Sequence, residues 1–194
     1  MKKALLSLVA VLLLASCGET QQPVASVPPE QESKAPVQIP ATLIDAIKIA
    51  RPHMTDVNGT DVDIGSGALA IWGADHMTWS ELQELPLAKY ALVMKDSDSQ
   101  RGNRICISGR VIEIIVDNSV PGKKLYRGGL FDEGMRIYRF IAVKSTGDIV
   151  GDSRARFCGV VTGQQHYQNS MGGVAHAVHL VGMFDLPENK QPKK

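Results

Sequence analysis

Five histidines, two clusters of oxygen ligands and a set of arginines are the residues with the means to do chemistry in this chain. His176 and His179 stand three apart. On a helix that spacing would share a face and could hold zinc. On a strand, the reading favoured here, the two rings point to opposite sides, and a third ligand is wanting. His53, His76 and His166 stand alone in the sequence, so no metal site is expected. The run Asp56 to Gly65 alternates oxygen-bearing residues as calcium loops do. Its glycine, Gly59, comes early for an EF-hand and no glutamate closes the loop, so a polar turn is the better reading. Gly151-Asp152-Ser153 has a serine beside an acid but no elbow glycines, and neither a zinc-protease motif nor a phosphate-binding glycine loop occurs. The expectation is a chain without cofactors that is not an enzyme.

The arginines cluster more tightly. Residues 101–160 hold 11 Lys and Arg against 6 Asp and Glu, whereas residues 18–100 hold 5 against 12. The two stretches can dock on each other by charge alone. Arg104, Arg110, Arg127, Arg139 and Arg156, with Tyr126 and Tyr138 among them, form the candidate ligand surface. Arg136, Arg154 and Phe140 belong to the same basic, aromatic stretch, and the plainer alternative is a set of solvated outward strand positions.

Those residues need elements to position them. Ala41 to Ala50 places Leu43, Ile44, Ile47 and Ala50 on one helical face, and Pro52 ends the helix. Asp56 to Gly67 reads as a loop. Thr78-Trp79-Ser80-Glu81 fits a capping box, predicting a short helix from Trp79 to about Leu85 that Pro86 stops. Lys89 to Lys95 reads equally as helix or strand. From Arg104 the pattern turns to β-branched residues. Ile105, Ile107 and Val111 share one strand face, then Ile112, Ile114 and Val116 the other, with Gly109 as the expected bend. Lys124–Phe131 and Arg136–Val143 flank Asp132-Glu133-Gly134, a hairpin signal, and Ser145 to Asp148 is a second turn. Arg154–Gly163 and Ala175–Phe184 are the last two strands.

The N-terminus reads as a processing signal. Lys2 and Lys3 precede an apolar run of eleven residues, Ala4 to Leu14. A spanning helix needs about 20 such residues, so the run is the core of a signal peptide over 1–16. Leu14-Ala15-Ser16-Cys17 resembles the lipobox of bacterial lipoproteins. The resemblance implies acylation of the Cys17 thiol, cleavage before it and acylation of the new terminus, the palmitate-type anchoring of a lipoprotein. The alternative is a plain secretory signal with a chance cysteine. Gly18 follows Cys17, and without an aspartate there the resemblance implies the outer membrane, on its periplasmic face, over the inner membrane. Residues 17–40 form a proline-rich linker that buries too little apolar surface to fold.

Export bears on the cysteines. With Cys17 acylated, Cys106 and Cys158 remain as an even pair in an oxidising compartment and are expected to form a disulfide. Closing 52 residues (158 minus 106) is worth about 4 kcal/mol in the chain-entropy relation. The alternative is two separate buried thiols.

The stretches Ile107-Ser108-Gly109-Arg110-Val111 and Gly151-Asp152, with Cys158 to Gly163, are similar to the first and fourth strands of OB-fold domains, periplasmic ones above all. The resemblance implies a five-stranded OB-like antiparallel β-barrel over 101–187; with the helical part over 41–100 and a tail over 188–194 expected to be disordered, the expected fold class is α+β. Neighbouring first and fourth strands would set Cys106 opposite Cys158, bracing the barrel from outside while Ile105, Ile107 and Phe157 point in. The alternative is a small open antiparallel sheet with helices on one side. The functional expectation is a non-catalytic binding module for an envelope protein, with an inhibitor or immunity protein against a secreted toxin as its sharper form. The alternatives are a binder of anionic envelope glycan or lipid, and an envelope enzyme. Basic and aromatic residues on a cytosolic OB-fold would suggest single-stranded nucleic acid, but the implied compartment argues against it.

Overall fold

The computed structural model describes residues 39–187. The expected signal peptide, Cys17, the expected linker as far as Gln38 and the expected tail over 188–194 lie outside the described residues.

Four of the five α-helices among the described residues begin where a side chain satisfies one of the first free amides. In α1 (Leu43–Ala50) Thr42 accepts from the Asp45 amide. Leu43, Ala46, Ile47 and Ala50 are buried, and Ile44, expected on that face, is exposed. A short β1 (Val57–Asn58) and the first turn of α2 (Ile64–His76) fall in the stretch Asp56 to Gly67, expected to be a loop. Asp63 caps α2, accepting from the Ser66 amide at 2.8 Å. Gly65 lets α2 approach the end of α1, since a Cβ there would sit 2.5 Å from the Ala50 carbonyl oxygen. In α3 (Trp79–Glu84) the expected capping box is complete. Glu81 also accepts from the Leu43 amide at 3.1 Å, tying the starts of α3 and α1 together. The ambiguous stretch is helical, as α4 (Tyr90–Lys95), and α5 (Ser97–Gln100) follows.

Five further strands follow: β2 (Arg104–Asp117), β3 (Leu125–Asp132), β4 (Ile137–Ala142), β5 (Arg154–Gln168) and β6 (Val174–Phe184). The sheet has six strands in the order β1-β5-β2-β3-β4-β6, and β5 also pairs with β6, which gives a ring-like closure. It is mixed, which corrects the expected five-stranded antiparallel sheet: β4–β6 and β1–β5 run parallel. The added strand is β1, which continues along β5 beyond the end of β2. The irregularity in β2 falls between Val111 and Glu113, not at Gly109. Gly109 serves close approach instead, for a Cβ there would meet the Phe131 carbonyl oxygen at 1.9 Å.

The ring has two apolar faces. Inside, Phe140, Phe157 and Phe184 pack with ring centroids 5.0–5.2 Å apart. Ile105, Ile107, Val111, Leu130 and Leu180 surround them, and Val93 of α4 closes one side. Outside, Ile141, Val160 and Val181 of the strands share a cluster with Leu43, Met54, Leu69, Trp72, Met77 and Leu82 of the helical part. Cys106 and Cys158 are directly opposed across β2 and β5 and form the expected disulfide. The bridge lies on the outer face under α3, where the Gln83 side-chain amide sits 3.4 Å from the Cys158 sulfur.

Candidate functional site

The residues of the candidate ligand surface take separate stations. Arg104 braces α3 against β2, donating to the Leu85 carbonyl at 2.9 Å and to Gln83 Oε1 at 2.7 Å. Arg110 is exposed beside Asp152, at 3.6 Å. Arg156 pairs with Asp185 at 3.1 Å and lies 5.6 Å from the centre of the Trp79 ring. Tyr126 is half-buried with Lys124 over its ring. Tyr138 is buried among the inner aromatics, donates to Asp132 Oδ2 at 3.2 Å and meets Tyr90 edge-on. Burial pushes the Tyr138 hydroxyl far above the usual phenol range. Burial also pushes the Asp132 carboxyl up, but hydrogen bonds from Arg136 and Tyr138 outweigh it and hold the group below the usual range.

Arg127 and Arg139 are the two that meet. Both line a narrow pocket on the uncovered part of the outer face, with Thr60, Asp61, Gln165 and His179. Arg127 donates to the Thr60 carbonyl at 2.8 Å, and its Nε stands 3.0 Å from Asp117 Oδ2 without the alignment of a hydrogen bond. Arg139 pairs with Glu113 at 2.5 Å. Both guanidinium groups are therefore already neutralised by the protein's own carboxylates, so the pocket has no surplus positive charge for an anion. His179 contacts Thr162 Oγ1 through Nδ1 at 2.8 Å, and burial pushes its pKa down to about 4. Thr162 is fully buried, so this hydroxyl–imidazole contact sets the ring's orientation and is closed to a substrate.

The larger concavity was not singled out from sequence. A cleft of about 390 Å³ runs between the α2–α3 corner, Lys144–Ser145 and the end of β6. Met77, Trp79, Met183, Phe184 and Leu186 supply its apolar lining. Asp75, Lys144 and Asp185 ring it with charge. Lys144 donates to the Ala74 carbonyl in the last turn of α2 at 2.8 Å, where a cation complements the helix end. Burial pulls the Lys144 pKa down. Asp75 pairs with Lys123, whose hydrogen bond holds the carboxyl below its usual range. Trp79 arrives here because the capping box starts α3 one residue before it. A cleft of this volume, apolar within and polar at its rim, suits an inserted side chain or short segment. The signal in the sequence was Trp79 itself, one of two tryptophans, at the head of a six-residue helix too short to bury it.

Two carboxylates of the oxygen-rich run, Asp56 and Asp63, are spent internally. Asp56 accepts from Ser97 at 2.8 Å, from the Gln164 amide at 2.9 Å and from Arg101 at 3.0 Å, while Asp63 is a helix cap. His176 is exposed and His179 buried, as expected of strand neighbours three apart. His166, isolated in sequence, stands directly beside His176. No protein-family profile matches the chain, and no curated protein matches it.

Proposed function

We propose that the chain is an envelope lipoprotein, held through acyl chains on Cys17 at the periplasmic face of the outer membrane, whose folded part is a non-catalytic binding module for another envelope protein. A secreted toxin is the narrower candidate partner. The lipobox-like Leu14 to Cys17 supports the anchor, and the Cys106–Cys158 bridge suits an oxidising compartment. The β2-β3-β4-β6-β5 circuit, with β4 and β6 parallel, supports reading the ring as an OB-like barrel. The observation that carries the binding reading is the Trp79 cleft: a half-buried indole under an arginine, flanked by Met183 and Leu186, is the composition of an interface anchor pocket.

A photo-crosslinker at position 80, on the rim, tests this in intact cells. The expected result is one discrete protein adduct that survives high salt and disappears when Trp79→Ala is added. An adduct indifferent to Trp79→Ala removes the cleft from the proposal. A second reading, a binder of anionic envelope glycan or lipid, draws on the basic excess of residues 101–160 and on the exposed Arg110. It predicts that binding to isolated envelope is lost in high salt, weakened by Arg110→Gln and untouched by Trp79→Ala.

A further inference from the structure

The β5–β6 hairpin brings two imidazoles together away from the Trp79 cleft. His166 and His176 are cross-strand partners, with Nδ1 atoms 2.6 Å apart and ring centroids 4.6 Å apart at 75°. His166 is half-buried and His176 exposed, so the pair is open to solvent on one side. The backbone beneath is fixed: the His166 carbonyl accepts from the Gly59 amide at 2.7 Å, and Asn58 of β1 pairs with His166 on its other flank. In the metal-free protein the contact demands that one Nδ1 carry a proton and the other present its lone pair. The two ring nitrogens are thus close enough to share one cation.

We propose that His166 and His176 form a binding site for a divalent transition-metal cation of the Cu(II) type. Imidazole nitrogen suits copper, nickel and zinc, and copper stands highest in affinity among them. With metal–nitrogen bonds of about 2.0 Å, neighbouring ligands lie about 2.8 Å apart in a square-planar arrangement and about 3.3 Å apart in a tetrahedral one. From 2.6 Å, modest side-chain rotations reach either separation, so the order of affinities and not the distance favours copper. Among the described residues no group of three or more His, Cys, Asp and Glu could hold a metal, so two imidazoles hold the ion and the other positions are open to water or an incoming ligand. Such a site takes up and releases its metal; it is not a structural centre.

Cu(II) titration of the full untagged chain, followed by calorimetry and electron paramagnetic resonance, tests this, with Zn(II) and Mg(II) alongside. The expected result is saturable uptake of one equivalent, a spectrum showing two nitrogen ligands, weaker Zn(II) binding and no Mg(II) binding. His176→Asn is expected to lower Cu(II) affinity by at least about tenfold, the scale on which even supporting residues of metal sites act. His53→Asn, on an exposed residue in another element, leaves it unchanged. Position 176 is exposed, so that variant folds even if His166→Asn does not. Uptake that does not saturate, a one-nitrogen spectrum, or equal affinity in wild type and His176→Asn overturns the proposal.

Discussion

The two faces of the ring are built from the same strands and depend on different parts of the chain. The inner face is made by residues 104–184 together with α4, and its centre is a trio of phenylalanines from β4, β5 and β6. The outer face is completed by the helical segment: Val160 and Val181 would be exposed without Leu43, Leu69, Met77 and Leu82 against them. Where the helices stop, the outer face stays open, and the Arg127–Arg139 pocket lies there. The inner face is therefore a packing problem, in which volume is decisive. The outer face is a covering problem, in which crosslinks, ion pairs and a buried histidine share the task with apolar area.

The largest effect should come from the inner face. Phe157→Ala removes the ring that touches both Phe140 and Phe184 and is expected to cost about 3–5 kcal/mol, read by urea denaturation. A cost under 1 kcal/mol, on that same scale, would mean the trio is not the centre of stability. Next comes the outer face. The double variant Cys106→Ala, Cys158→Ala is expected to cost about 3–4 kcal/mol, because the bridge closes a long loop in the unfolded chain. Amides of β4 and β6 should keep their slow hydrogen exchange in it. If they lose protection, the bridge and not the aromatic packing closes the ring. The smallest effect is a pH dependence. His179 has a folded pKa of about 4 against 6.5 when free, so the unfolded chain binds the extra proton between those values. Its contribution is fully present above pH 6.5 and is lost as pH falls through about 4, a change of about 3 kcal/mol. The slope should vanish in His179→Gln, and its persistence would assign it to other groups.

Much of the strand content was legible because β-branched alternation is a local signal. β2, β3, β4 and the Asp132–Gly134 turn fall within a few residues of their expected places. The capping box was legible for the same reason. Helix α2 was not: Gly65, Gly67, Ala68, Ala70, Gly73 and Ala74 give it almost no apolar contrast between faces, and it forms because small residues let it lie close against α1 and Met54. The cleft was illegible too, since Trp79, Lys144 and Met183 are separated by long stretches of chain that only packing brings together.

Alternation, caps and turn residues are short-range physics, written wherever neighbouring side chains compete for water or for one another's backbone. By itself the sequence thus determined the five long strands and which helix carries a complete cap, and it set Cys106 and Cys158 apart from the lipobox-like Cys17. Which face Trp79 borders, that β4 and β6 run parallel, and that His166 meets His176 were decided only in the tertiary structure. Strand register and ring closure are properties of the whole sheet, and a one-residue slip would have turned every one of those side chains to the other side.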